Sequence, residues 1–388
     1  MSCTNDCSFA SDSWGRGPHC TAFTLTKEER VLSPRVQVAH DYANQAGGAE
    51  RVAASMARHY GHRLWVSVYE PTRTSDLFDG LRVDTSWVNR FRPLRHSRAL
   101  LSPFLPLVVS LSRISGTGVL VASSSGWAHG LRWPGIKIVY CHNPGRWLYQ
   151  IDDYFSSWPR SARTALHTLM SPLRRLDRRW ARTADHYVAN STSVAQRIRD
   201  AYGIEATVIH PPVLVAKAAP ATERVDGMFL TVARSRGYKG TGTIVEAFAG
   251  APDLSLVIVG SYDGDTPANV KKAGRVSDER LSELYRSASG LIAIGREDFG
   301  LTPIEAHAHG CPVLALRAGG YLDTVIDGVN GQLIGEATPE LLVAAIRGWQ
   351  TTRWDQDEIE QTAERFSEET FLRKMDDLIE SVAADHRR

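Results

Sequence analysis

Twice along this 388-residue chain, short apolar runs alternate with helical stretches, and one polar, Pro- and Gly-bearing segment separates the two series. That alternation constrains the fold more than any motif does. Strand, helix and strand at this spacing need parallel pairing with crossovers, so each series predicts an open α/β sheet covered on both faces. The first series predicts strands at 36–40, 118–122, 136–141 and 186–189 and another in HRLWVSVY, ending in VIHPPV. Helical stretches are expected at 49–59 and 161–184. The break is AKAAPATERVDG, after which MFLTVAR, LSLVIVG, VKKAGRV, GLIAIG and PVLALRAGG form the second series. The expected organisation is a loose extension over 1–34, an α/β domain over 35–213, a linker over 214–227 and a second α/β domain over 228–367. A C-terminal helix and tail over 368–388 would pack back toward the first domain through Phe371, Met375, Leu378, Ile379 and Val382. Two such sheets facing one another leave a cleft at their strand ends.

Composition narrows the function classes. The chain is 43% hydrophobic and 23% charged with a formal net charge of +2, as in soluble globular proteins. Such a balance gives no general case for nucleic acid, and no RNA-binding module accompanies the local basic clusters. Five cysteines, Cys3, Cys7, Cys20, Cys141 and Cys311, make no disulfide framework, so a cytoplasmic setting is expected. Cys3 and Cys7 lack structural-zinc spacing. The extension has no signal-peptide core, and the most apolar segment, 100–111, is too short to span a bilayer.

Two signals in the second series concern phosphate and sugar. Arg234 and Lys239 in VARSRGYKG follow an apolar run, where a bent loop lets both cations converge on a diphosphate. Cations at strand ends are also ordinary solvated groups. Glu297 and Glu305 stand in EDFGLTPIEAHAHGCPV with seven residues between them. Pro303 suits the first turn of a helix running through Glu305 to His309, and Gly310 and Pro312 suit its end. Loop amides near Phe299, Gly300 and Leu301 can hold phosphate or sugar oxygens. Glu305 is placed for a ribose diol and Glu297 for the transferred hexose. An acid–base hydrolase pair is the rival, but it leaves the cations without a task. In QAGGAERV, Gly47 and Gly48 form either a plain strand-to-helix turn or an anion contact. His307, His309 and Cys311 are two apart and face different sides of a helix, which argues against a metal site. GTG at 240–242 lacks the full dinucleotide pattern and no GxxxxGK[ST] loop is present, so nicotinamide and ATP-hydrolysing sites have little support.

Over roughly 35–382, and most strongly over 229–331, the chain resembles the family 4 retaining glycosyltransferases of the GT-B fold, particularly the bacterial mannosyltransferase-like branch. VARSRGYKG is similar to the family's diphosphate loop, Glu297 and Glu305 to its paired-glutamate motif, GGYLDTVIDGVNG to its glycine-rich continuation, and HDYANQAGGAERV to its first loop. The resemblance implies two Rossmann-like α/β/α domains facing across a cleft, with donor on the second and acceptor on the first. It implies Arg234 and Lys239 on the pyrophosphate, Glu297 orienting the sugar, Glu305 on the ribose, and Gly274 and Arg275 in the nucleobase loop. It also brings His142 of YCHNPGRWLY near the hexose; as an isolated histidine, His142 reads more simply as structural. Arg296 departs from the family, where a small polar residue often precedes the first glutamate.

The implied reaction is metal-independent transfer with retention and no covalent glycosyl-enzyme step. No cofactor is expected beyond the sugar-nucleotide donor. EDFG and YCHNP look most like mannosyl-type members, so GDP-mannose is the first donor expectation and a UDP-hexose the alternative. A non-catalytic sugar-nucleotide-binding protein is the remaining rival. The acceptor is a hydroxyl-bearing small molecule, glycan or lipid-linked species. Trp87, Arg90, Phe91, Arg92, Leu94 and Arg95, with RRLDRRWAR at 174–182, either meet a lipid phosphate at the inner face of a membrane or are solvated faces.

Overall fold

The computed structural model describes residues 34–96, 104–155, 158–213, 224–233, 240–349 and 352–388. Arg234, Lys239, Cys3, Cys7 and Cys20, with nearly all of the extension and most of the linker, lie outside the described residues.

Thirteen described strands form two parallel sheets. The first contains β1 (Val36–His40), β2 (Arg63–Val66), β3 (Arg82–Thr85), β4 (Val119–Ser124), β5 (Ile136–Cys141), β6 (His186–Ala189) and β7 (Thr207–Val208), in the order β3-β2-β1-β4-β5-β6-β7. The second contains β8 (Val225–Ala233), β9 (Ser255–Gly260), β10 (Val270–Gly274), β11 (Ala288–Ala293), β12 (Val313–Leu316) and β13 (Gly331–Ile334), in the order β10-β9-β8-β11-β12-β13. Strand order therefore reverses beside β1 in one lobe and beside β8 in the other, the positions where α/β sheets open a crevice at their carboxyl ends.

Near-continuous apolar runs suit strands covered on both faces. Val38, Val119 and Val121 enter one core while their neighbours Ala39 and Leu120 enter another. In the second lobe Ile258, Ile292 and Leu314 pack on one face, and Val259, Leu291 and Val313 on the other. β3 and β13 were not anticipated: both are edge strands, and RVDT and GQLI show neither a long apolar run nor a clean alternation. The stretch expected as one helix over 161–184 is two, Arg160–Leu169 and Ser171–Ala181. Pro172, lacking an N–H, falls in the first turn of the second, where nothing is lost.

The last helix, Glu368–Arg387, begins where Ser367 Oγ accepts from Thr370 N at 3.2 Å. Its buried Phe371, Met375, Ile379 and Ala383 recur every fourth residue and enter the core around β1 and β4. Polar contacts reinforce that docking: Ser55 Oγ donates to Glu368 at 2.6 Å and Tyr60 OH to Asp376 at 2.8 Å. Among the described residues no helix is long and apolar enough to cross a membrane.

Candidate active site

In the first lobe, polar side chains assemble the strand ends. Asp41, just beyond β1, accepts backbone N–H bonds from Ser125, Trp127 and Ala128 at 2.5, 2.8 and 2.6 Å, fixing the loop after β4. His40 Nδ1 lies 3.1 Å from the Ser123 carbonyl and 2.9 Å from its hydroxyl. A carbonyl only accepts, so Nδ1 carries the proton. Ser123 Oγ is then free to donate to His142 Nε2, 2.8 Å away. This chain makes His142 the tautomer protonated at Nδ1, and no described residue takes up that remaining N–H. Burial, reinforced by His40, pushes the His142 pKa down to about 3, so the ring is neutral.

Beyond Asp41, Gly47 caps the helix α1 (Gly48–His59). A Cβ on Gly47 would lie 2.4 Å from Glu50 Oε2, and one on Gly48 would lie 2.7 Å from Leu301 Cδ1 of the other lobe. Gly48 thus faces the first residue of the helix that follows β11.

In the second lobe, backbone contacts place the site. Gly320 N donates to Glu297 O at 3.0 Å. Gly319, at φ 61, comes so close that a Cβ would lie 2.3 Å from that oxygen, and one on Gly320 would lie 2.2 Å from Phe299 Cα. Gly300, at φ 87, caps the helix α2 (Leu301–His307), with the Tyr321 ring where a side chain would go. Phe299 is buried and stacks on His210 at 5.4 Å.

α2 stops two residues short of the expected His309, and Gly310 at φ 65 completes the turn. Glu305 is partly buried, and Tyr285 OH donates to its Oε2 at 3.4 Å. Burial, then Glu305, raises the Tyr285 pKa well above its usual value, which keeps the phenol a donor. His309 Nδ1 donates to the Glu305 carbonyl at 2.7 Å. His307 is buried beside Asn330 with its pKa pushed to about 3, and burial pushes the Cys311 thiol up to about 12. Among the described residues no group of three or more His, Cys, Asp or Glu is arranged to hold a metal ion.

Asp298, which sequence reasoning passed over, carries the contact between lobes. Its carboxylate accepts from Asn143 Nδ2 at 3.0 Å, Arg146 Nη2 at 2.6 Å and Arg197 Nη1, and its carbonyl accepts from Ser191 Oγ at 2.5 Å. A second crossing lies at Asp323, which accepts from Thr192 N at 3.0 Å and from Thr192 Oγ1. Between these crossings a cavity of about 480 Å³ is lined by Thr192, Gln196, Arg197, Gly319, Leu322 and Asp323.

The structure therefore brings Gly48 against Leu301, and the His142 loop against the Glu297 loop. Gly274, at φ 66, ends the edge strand β10 with Arg275 exposed beside it. Their link to Glu305 runs through the helix Asp278–Ser287, which carries Tyr285. β8, whose last residue Ala233 directly precedes 234–239 in sequence, is adjacent to β11 in the sheet. The available signals for the missed residues were adjacency alone: Asn143 and Arg146 follow His142, and Asp298 follows Glu297.

Two family profiles match end to end: "Glycosyltransferase Family 4" over residues 46–217 and "Glycosyl transferases group 1" over 217–370. The chain belongs to the family 4 glycosyltransferases and has the GT-B fold, two Rossmann-like α/β/α lobes with a cleft between them. Among curated proteins it is similar to the D-inositol 3-phosphate glycosyltransferase of Nocardiopsis dassonvillei, with 28% identity over 197 residues, 41% of this chain and 46% of that one. It is 30% identical over 201 residues to the enzyme of the same name from Acidothermus cellulolyticus, covering 42% of this chain and 45% of that one. The chain spans under half the length of these curated relatives. Among solved structures, HepE of Anabaena in complex with UDP and glucose superposes with a TM-score of 0.62 at 16% identity, covering 90% of this chain and 100% of that one. Sucrose-phosphate synthase of Thermosynechococcus elongatus gives 0.63 at 19%, over 90% and 100%.

Proposed function

We propose that this chain transfers a hexose from a sugar nucleotide to a hydroxyl, with retention and without a metal ion. The observation that carries this reading is the convergence, across a GT-B cleft, of the His142 loop from β5 and the Glu297 loop from β11. Arg234 and Lys239 hold the diphosphate beside the end of β8, and Glu305 takes the ribose diol. The amides of Phe299, Gly300 and Leu301 and the turn at Gly47 and Gly48 meet phosphate or sugar oxygens, while Gly274 and Arg275 border the base. Glu297 orients the hexose, and His142 offers its Nδ1–H to a sugar hydroxyl.

The bond from the anomeric carbon to the diphosphate oxygen breaks as the acceptor oxygen arrives on the same face. The acceptor's proton passes to the departing phosphate oxygen, so no protein carboxylate need take it. Cations and amides aimed at the leaving group stabilise the charge that grows there, and lobe closure excludes water.

The donor reading is a UDP-hexose ahead of GDP-mannose, supported by the similar HepE, which carries UDP and glucose in its solved complex. For the acceptor, a cavity of about 510 Å³ past the end of β3 is lined by Thr85, Ser86, Trp87, Asn89, Arg90 and Arg95. Arg90, beside an Arg95 that is held by the Glu70 carboxylate at 2.8 Å, suits an acceptor bearing phosphate, in line with the inositol phosphate in the curated relatives' name. Arg175, Arg178, Arg179 and Arg182, all exposed and spaced three and four apart at the end of the helix Ser171–Ala181, form a basic face that suits peripheral contact with an anionic membrane.

A donor-by-acceptor screen with mass detection tests the reading. It expects a product one hexose heavier from a UDP-sugar, with donor binding weakened in Lys239→Ala. Donor binding without transfer or hydrolysis would favour a binding protein, and product from GDP-mannose alone would reverse the donor order.

A further inference from the structure

Asp298 is flanked by Glu297 and Phe299, and its partners include Asn143, which directly follows His142. Its side chain is 21% exposed, and those of Arg146 and Arg197 are 32% and 27% exposed, so the cluster is half-sheltered from solvent. Oδ1 takes Asn143 Nδ2 at 3.0 Å and Arg197 Nη1, while Oδ2 takes Arg146 Nη2 at 2.6 Å and Nε at 3.2 Å. Ser191, whose hydroxyl caps the helix Thr192–Tyr202, donates to the Asp298 carbonyl at 2.5 Å. Side chain and backbone of one residue are thus gripped by two separate elements of the opposite lobe.

We propose that Asp298 is a positioning residue, an inter-lobe latch that sets the His142 loop against the Glu297 loop and holds the cleft closed. On each lobe only one peptide bond separates the latch from the candidate sugar-contacting residue, so its register sets theirs. The charge balance makes the device sensitive. Two guanidiniums of the first lobe share one carboxylate of the second, so removing Asp298 abolishes the charge attraction across the seam, leaves two like charges crowded on one lobe and loosens the contact between lobes. Removing Arg197 leaves one balanced pair with Arg146 and is milder. The catalytic meaning of the latch rests on the transfer reading above; the latch itself does not.

The test uses the full chain as wild type, Asp298→Ala, Asp298→Asn, Arg197→Ala and the Asp298→Ala/Arg197→Ala double variant. Small-angle scattering of the free proteins reports lobe separation, circular dichroism the fold, and steady-state transfer kcat and donor KM. Asp298→Ala is expected to enlarge the radius of gyration at native helicity and to lower kcat about 100-fold, with donor KM moving far less. Arg197→Ala is expected to lower kcat about 10-fold, and the double variant to be no worse than Asp298→Ala, since both act on one contact. Should Asp298→Ala fail to fold, Asp298→Asn carries the same comparison. Native scattering with kcat within about twofold of wild type in Asp298→Ala, or losses that multiply in the double variant, overturns the latch. If wild type transfers no sugar, the functional reading falls, and scattering alone decides the latch.

Discussion

The two lobes hold their candidate residues by opposite means. In the first, buried side chains do the placing: Asp41 anchors a loop through three backbone N–H groups, and His40 and Ser123 orient His142. In the second, close backbone approach does it: Gly319 and Gly320 press against Glu297 and Phe299, and Gly300 turns the chain into α2. The contrast teaches what each half tolerates. A hydrogen-bonded network is broken by a change of donor or acceptor at constant size, and a glycine contact by a single added methyl.

The sharpest break should come at Gly319. Alanine there meets both a positive φ of 61 and a contact of 2.3 Å to the Glu297 oxygen. The expected loss is about 3 kcal/mol in chemical denaturation. A loss under about 1 kcal/mol would show that the loop yields, and would remove the contrast. Next comes Asp41→Asn, almost the same size. The amide can accept at one oxygen only and turns an N–H toward backbone donors, so about 2 kcal/mol should be lost. Unchanged stability would mean that the loop after β4 is set by something other than that carboxylate.

What the sequence disclosed follows from the same physics. β1 and β5 were legible because Val36, Val38 and Ala39 in VQVAH and every residue but Lys137 in IKIVYC are apolar. β3 and β13 were not, because a four-residue edge strand takes its pairing from a neighbour and leaves little pattern of its own. Gly47, Gly48 and the segment around Glu297 and Glu305 stand out in the sequence because each is a compact local motif. The Asp298 contacts span 155 residues to Asn143 and 101 to Arg197, and no periodicity carries pairings of that kind. Ser123 was equally hidden, a serine at the end of an apolar strand until the fold sets it between two imidazoles.

Ser123→Ala probes the first lobe with less violence. It removes the donor to His142 Nε2 while leaving volume nearly constant, so the ring is free to exchange tautomers. The expected result is a roughly 10-fold fall in kcat with a stability loss near 1 kcal/mol. Equal kcat in the two proteins would show that the tautomer of His142 does not matter to transfer.

The smallest effect at neutral pH lies in a feature that the lobes share. Each buries a neutral imidazole, His142 in one and His307 in the other, with folded pKa near 3 in both cases because burial penalises the cation. An unfolded chain takes up these protons near pH 6.5, so between about 6.5 and 3 it binds more protons than the native state. Stability therefore rises with pH across that window and drains away as pH falls, at roughly 1 kcal/mol per pH unit for each histidine. Burial lowers His186 and His309 in the same direction, which steepens the slope without changing its sign. Above pH 7 the effect vanishes. Urea midpoints measured between pH 6.5 and 5, before most carboxylates titrate, isolate the histidines. His142→Gln and His307→Gln should each flatten the slope by the same amount, although the lobes are built by different means. A slope that responds to one substitution alone would mean that only one lobe keeps water from its histidine, and the contrast would then extend from placement to solvation.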